Sequence, residues 1–193
     1  MKKIMFSDKH CLTQAVLDGT KTMTRRVLKE GTPLGNWEET QKHLPYKVGE
    51  IVTIAQPYKD IIECMAEYSD IIINVDGSIN REYKAGWTNK MFVRADLLPH
   101  HIRITDVKVE HLQDISDKEC LREGVKRASI GFYAEGVKVK NCEKEAHRET
   151  ASGCLKLFPF PRQAFASLID KISGKGTWEN NPFVVAYSFE LVD

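Results

Sequence analysis

An α+β fold with a mostly antiparallel, curled sheet is what this sequence predicts. Strand-like and helix-like segments are mixed along the chain without the regular alternation that a doubly wound parallel sheet requires. No internal repeat is visible and no linker separates two hydrophobic cores. At 193 residues the chain fits one well-filled domain, read here as spanning residues 1–193.

Taken in order, Lys3 to Phe6 reads as a short opening strand. Ser7 is placed to cap a helix from about Asp8 to Asp18, with Leu12, Ala15 and Val16 on one face. Gly19 stands where a C-terminal cap belongs. Thr20 to Val27, rich in β-branched residues, suits a strand. The polar stretch through Pro33, Gly35 and Pro45 shows no period and reads as a loop. Val48-Gly49-Glu50 turns into a strand over Ile51 to Ala55. Tyr58 to Tyr68 has helical spacing at Ile61, Ile62 and Met65. Ile71 to Val75, Asp76-Gly77 and Ser78 to Tyr83 read as a hairpin with a two-residue turn. Met91 to Val93 reads as a short strand, and Ile102 to Val109 lie in a longer one. Ser116 to Glu119 is a capping box opening a short helix that ends before Gly124. Lys126 to Lys140 suit strands, and Cys142 to Thr150 a polar helix or excursion. Pro161 opens a helix with Ala164, Phe165, Leu168, Ile169 and Ile172 on its buried face, ended by Gly174. Phe183 to Val192 is a strong final strand.

Composition narrows the function classes. Hydrophobic residues make up 42% and charged residues 28% of the chain, the profile of a soluble globular protein. The apolar runs are far too short for a membrane span, and the start of the chain has no signal-peptide core, so a cytoplasmic location is expected. The net charge of +1 argues against coating long polyanions. It does not disfavour a pocket for one nucleotide. Five cysteines (Cys11, Cys64, Cys120, Cys142 and Cys154), odd in number and without a C-x-x-C pair, argue against a disulfide framework or a zinc finger.

The chemically richest segment is Gly19-Thr20-Lys21-Thr22-Met23-Thr24-Arg25-Arg26, with three cations and three threonine hydroxyls just after a helix end. Such groups bind phosphates and polar ligands. The plainer alternative is a charged edge strand that discourages aggregation. Gly19-x-Lys21-x-x-x-x-Arg26 after a short amphipathic helix resembles the signature of the ASCH domain. Tyr46-Lys47-Val48-Gly49-Glu50-Ile51-Val52 resembles that family's second strand. The stretch from Ile102 to Ser116 resembles its central strand and cap, and Glu119 to Val125 its next helix. Trp178, Asn181 and Pro182 before the last strand resemble the tail of longer, often phage-associated members. The likeness covers nearly the whole chain, with family-variable insertions near 57–90 and 126–160.

That resemblance implies a PUA-like β-barrel with flanking short helices, whose partner is RNA or a modified nucleoside. It also implies a second possibility, because small bacterial members are amidohydrolases that remove the acetyl group of N4-acetylcytidine. Carried over by position, their catalytic lysine, threonine and glutamate are Lys21, Thr24 and Glu123. Those enzymes are about half this length, so the transfer brings a cleft more surely than a reaction. A third possibility is a protein-interaction module of mobile-element origin.

Amide hydrolysis fits these residue types. Thr24 would attack if a neighbour took its proton. Lys21 would be that neighbour if burial or Arg25 and Arg26 lowered its pKa; still charged, it would stabilise an oxyanion. Glu123 would orient the amine or shuttle a proton. One geometric condition applies: positions three apart on a strand face opposite ways, so Lys21 and Thr24 share a site only if Lys21 precedes the strand or the chain bulges.

Further ligand contacts are expected from Arg25, Arg26, Arg103, Tyr58 at a pocket mouth and Trp87 beside Gly86. Trp37 and Trp178 read as rim or core residues. His100-His101 lacks ligand spacing for a metal, and Gly174-Lys175-Gly176-Thr177 lacks the spacing of a phosphate loop. No cofactor and no metal is expected.

Overall fold

The computed structural model of the protein describes residues 1–62, 68–141, 145–150 and 153–192. Contacts divide these into two compact units. The first comprises Met1–Phe6, Glu50–Arg103 and Leu191–Asp193, the second Ser7–Gly49 and Ile104–Glu190.

In the first unit, β1 (Lys3–Ile4) runs parallel to β3 (Ile51–Ile54), with Lys3 opposite Thr53 and Ile4 opposite Ile54. β3 pairs antiparallel with the start of β4 (His101–His111), Val52 facing Ile102. The Lys3 ammonium donates to the carbonyls of Met91 (2.9 Å) and Val93 (2.5 Å), which pins the first strand to the irregular chain beside it. A separate core of Tyr58, Ile61, Ile72, Tyr83, Val93, Leu97 and Leu98 lies under two one-turn helices, α3 (Tyr58–Ile61) and α4 (Ser69–Ile72).

The second unit holds α1 (Leu12–Leu17), β2 (Met23–Val27), α2 (Trp37–His43), the rest of β4, α5 (Asp117–Arg122) and α6 (Pro161–Ser173). It also holds the one-turn α7 (Thr177–Asn180) and nearly all of β9 (Phe183–Leu191). β2 and β9 pair antiparallel, Thr24 opposite Tyr187 and Arg26 opposite Val185. Ala164, Phe165 and Ile169 of α6 bury their stripe against Leu112, Ile115, Cys120, Val125 and Val184. Two small ribbons, β5 (Lys126–Arg127) with β6 (Phe132–Tyr133) and β7 (His147–Thr150) with β8 (Gly153–Lys156), complete the unit.

The architecture is α+β, as the mixed order of elements predicts. Closure is not. The five long-range strands run in the order β1-β3-β4-β9-β2, with β1 and β2 as free edges, so the sheet is open and not a barrel. The two-residue β1 gives a closing strand almost nothing to pair with, and it joins β3 in parallel.

Several local departures have identifiable causes. The helix expected over Asp8 to Asp18 is broken at Cys11, whose φ of 51° ends a 3-10 turn before α1 begins. The polar loop contains α2: Asn36 caps it by accepting from the Glu38 N–H, with acids in its first turn and Lys42 and His43 in its last. The hairpin at Asp76-Gly77 shrinks to a single bridge, Ile73 to Ile79, because Ser69–Ile72 is helical. Lys90–Phe92 is a 3-10 turn instead of a strand. His147–Thr150 is a strand instead of a helix. The remainder of the helix expected over Tyr58 to Tyr68 falls partly outside the described residues.

The capping box at Ser116 forms in full: Ser116 accepts from the Glu119 N–H, and Glu119 accepts from the Ser116 N–H. Ser116→Ala removes one half of it and lowers the unfolding free energy by about 1 kcal/mol in urea titrations. An unchanged midpoint would show that α5 is held by its packing alone.

Candidate functional site

The geometry at Lys21 begins with the end of α1. Gly19, at φ 69°, stops the helix, and the Lys21 N–H donates to Ala15 O at 2.8 Å. Lys21 therefore precedes β2, and the geometric condition set by the sequence is met. The next residue is stitched to the end of α5: Thr22 N–H donates to Arg122 O at 3.0 Å, and Arg122 Nε donates to Thr22 Oγ1 at 3.0 Å.

This seam brings the Lys21 side chain to the C-terminal end of α5. Its Nζ donates to Glu123 Oε2 (2.8 Å), Glu123 O (2.7 Å) and Met23 O (2.7 Å), which engages all three ammonium donors. Lys21 is 2% and Glu123 4% exposed. A cation at a helix C-terminus satisfies a carbonyl that has no partner within the helix and complements the macrodipole. Gly124, at φ 107°, makes the approach possible, since a Cβ there would lie 2.8 Å from Leu12 Cδ2. Burial is the main influence on the Lys21 ammonium and pulls its pKa below the usual lysine value. Glu123 pulls it back up, and Arg26 and Arg25 add to the lowering.

Arg25 extends the cluster. Its Nε and Nη2 donate to Glu110 Oε1 (2.9 and 2.6 Å), and its Nη1 donates to Glu123 Oε1 (3.2 Å). Glu119 Oε2 is 3.1 Å from Nη2. Lys108 then bridges Glu110 (2.9 Å) and Glu119 (2.6 Å). Three carboxylates thus face three cations, Lys21, Arg25 and Lys108. Partial burial pushes the Glu119 carboxyl up, but the Lys108 and Ser116 donors and the Arg25 charge outweigh it and hold its pKa at about 2, against an ordinary 4.5. The neighbouring Cys120 thiol is pushed up by burial to about 12, so it is not a thiolate nucleophile at neutral pH.

Thr24 is buried on β2 opposite Tyr187, and among the described residues its hydroxyl makes no hydrogen bond. Arg26 is half-buried and close enough to weigh on the Lys21 charge. Arg25 is not offered outward to a phosphate, as the sequence reading had it, because its contacts are all internal to the cluster.

Tyr58, Trp87 and Arg103 belong to the first unit. Tyr58 does not stand at a pocket mouth. It is 1% exposed, its hydroxyl accepts from the Arg94 N–H at 3.0 Å, and its ring meets Tyr83 edge-on. Gly86 is small for this reason: a Cβ there would lie 2.4 Å from the Tyr58 ring. Trp87 is half-buried against the same core, and Arg103 is exposed opposite Ile51.

Sequence reasoning missed Lys108 and Glu110 and gave Glu119 only a capping role. The signal was available, since Lys108 and Glu110 share one face of a strand by their spacing of two. A shallow groove of about 500 Å³ lies elsewhere in the second unit, lined by Phe158, Gln163, Asp170 and Trp178 among others, and does not include Lys21 or Glu123.

No protein-family model matches the chain, and no curated protein matches it in sequence. It is similar to the crystal structure of a DUF984-family protein from Enterococcus faecalis, at 14% identity over 100% of this chain and 77% of the other, with a TM-score of 0.41. It is also similar to an ASCH domain from Lactobacillus crispatus, at 13% identity over 98% of this chain and 78% of the other, with a TM-score of 0.37. Chemistry at the site therefore has to be argued from this chain's own residues.

Two outcomes follow from the buried charges. Glu123→Ala strands the Lys21 charge and lowers stability by about 3–5 kcal/mol, whereas Lys21→Met combined with Glu123→Leu costs less than that single change. Urea unfolding of the three proteins checks the order. Glu119, with a depressed pKa, adds stability that is complete above pH 4.5 and is lost as pH falls through about 2. Glu119→Gln flattens that acid limb of the pH–stability curve; an unchanged limb would place its cause elsewhere.

Proposed function

We propose that this chain binds a nucleoside, free or within RNA, at a site centred on Lys21, Thr24 and Glu123. The observation that carries the reading is the direct contact of a fully buried lysine with a buried glutamate at 2.8 Å. Burying charge costs several kcal/mol per ion unless the pair is well placed, and folds keep such pairs most often where a ligand or a proton is handled. The balance of charge favours a base over a phosphate. Glu110, Glu119 and Glu123 already neutralise Lys21, Arg25 and Lys108, so the cluster offers little net attraction for a polyanion. Carboxylate oxygens and a threonine hydroxyl instead suit the amino and carbonyl edge of a pyrimidine.

A second reading, hydrolysis of an N4-acylated cytidine or a similar small amide, is favoured by the lowered pKa of Lys21 and the uncommitted Thr24 hydroxyl. Lys21, having passed a proton to Glu123, would take the Thr24 proton as the oxygen attacks the acyl carbon. Glu123 would return a proton to the departing amine, leaving an acyl-threonine that water cleaves.

The test is calorimetric titration with cytidine and N4-acetylcytidine, beside chromatography of the same mixtures. Saturable binding that changes little between 50 and 200 mM salt (both on the order used to expose phosphate contacts) is expected, and Lys21→Ala abolishes it. Release of cytidine would select the hydrolase. Neither binding nor turnover would overturn both readings and leave the protein-interaction module.

A further inference from the structure

The contacts of Arg25 distinguish a group that meets a ligand from one that aims another group. Its side chain is 0% exposed, and its guanidinium touches Glu110, Glu119, Glu123 and the Met23 sulfur (Nη1 to Sδ, 3.1 Å). Glu123 consequently has its two oxygens on different cations: Oε1 is 3.2 Å from Arg25 Nη1 and Oε2 is 2.8 Å from Lys21 Nζ. Behind Arg25, Lys108 ties Glu110 to Glu119.

We propose that Arg25 is a positioning residue: gripped by Glu110 and Glu119, it takes one oxygen of Glu123 and leaves the other on Lys21, so that the carboxylate keeps a single orientation. This rests on the reading of Lys21 and Glu123 as the functional pair. The residue type is specific to the task. A planar fork with five donors at fixed angles can hold three carboxylates at once, whereas an ammonium on a flexible stem acts as a point charge. Lys108 cannot substitute, because it contacts Glu110 and Glu119 and is the most exposed member of the cluster. The arrangement also explains the burial of Glu110 on β4: without it the guanidinium would have a second free edge and could turn away from Glu123.

The groups that bear on the pair are Arg25 and Arg26 from β2, Glu119 and Cys120 from α5, and Lys108 and Glu110 from β4. Arg25→Lys keeps the charge and removes the fork, so it separates aim from simple electrostatics. Carbon-13 NMR titration of the Lys21 side chain reads the result without any ligand. Freed from Arg25, Glu123 turns both oxygens to Lys21, and the Lys21 midpoint rises by about one pH unit. In a Glu123→Gln background the same substitution leaves the midpoint unmoved, because the effect passes through that carboxylate. An unchanged midpoint in the first comparison, or an equal rise in both, overturns the proposal. If Arg25→Lys does not fold, Arg25→Gln is judged by the same background comparison, since a purely coulombic effect would persist in both. In the nucleoside assay Arg25→Lys weakens binding or turnover roughly tenfold or more. A wild-type protein that fails that assay removes the site reading, while the titration still decides whether Arg25 aims Glu123.

Discussion

The contact between Lys21 and Glu123 is the constraint on which the second unit's chemistry depends. A lysine with essentially no exposure can stay charged only if its donors are all met, and here they are met by one carboxylate and two carbonyls. Three local features make that possible. Gly19 ends α1 one turn before the lysine, Gly124 leaves room for the stem, and α5 ends where its last carbonyls need a cation. Remove any one and the ammonium either loses a partner or cannot enter.

The pair is not isolated. Glu123 shares its carboxylate between Lys21 and Arg25, and Arg25 shares its guanidinium among three acids. Such a network is sensitive in proportion to how completely it is satisfied, because each member holds the geometry of the next. It also sets what the surface can attract. With acids and bases in equal number, recognition must come from directed hydrogen bonds more than from long-range attraction, in keeping with a chain whose net charge is +1.

Much of this was legible in the sequence, for physical reasons that differ by element. The capping box at Ser116 and the apolar stripe of α6 are local signals, and both form as written. The meeting of Lys21 with Glu123 is a long-range event, visible beforehand only through the ASCH-like order of motifs. Arg25 looked like a phosphate ligand because sequence shows a cation and not its counter-ions: Glu110 and Glu119 are 85 and 94 positions away. Tyr58 looked like a rim residue because its neighbours Gln56 and Pro57 are polar or turn-forming, whereas Tyr83 and Val93, distant in the chain, enclose it. The open sheet likewise reflects a tertiary fact, the brevity of β1, that strand propensity at Lys3 to Phe6 does not reveal.

Amide NMR mapping during titration with cytidine tests the central claim most directly. A nucleoside held at the buried pair shifts the signals of Thr22 to Arg25 and of Glu119 to Gly124, and leaves those around Trp178 and Phe158 in place. Shifts confined to the Trp178 groove, with the α1–β2 junction and the end of α5 silent, would contradict it.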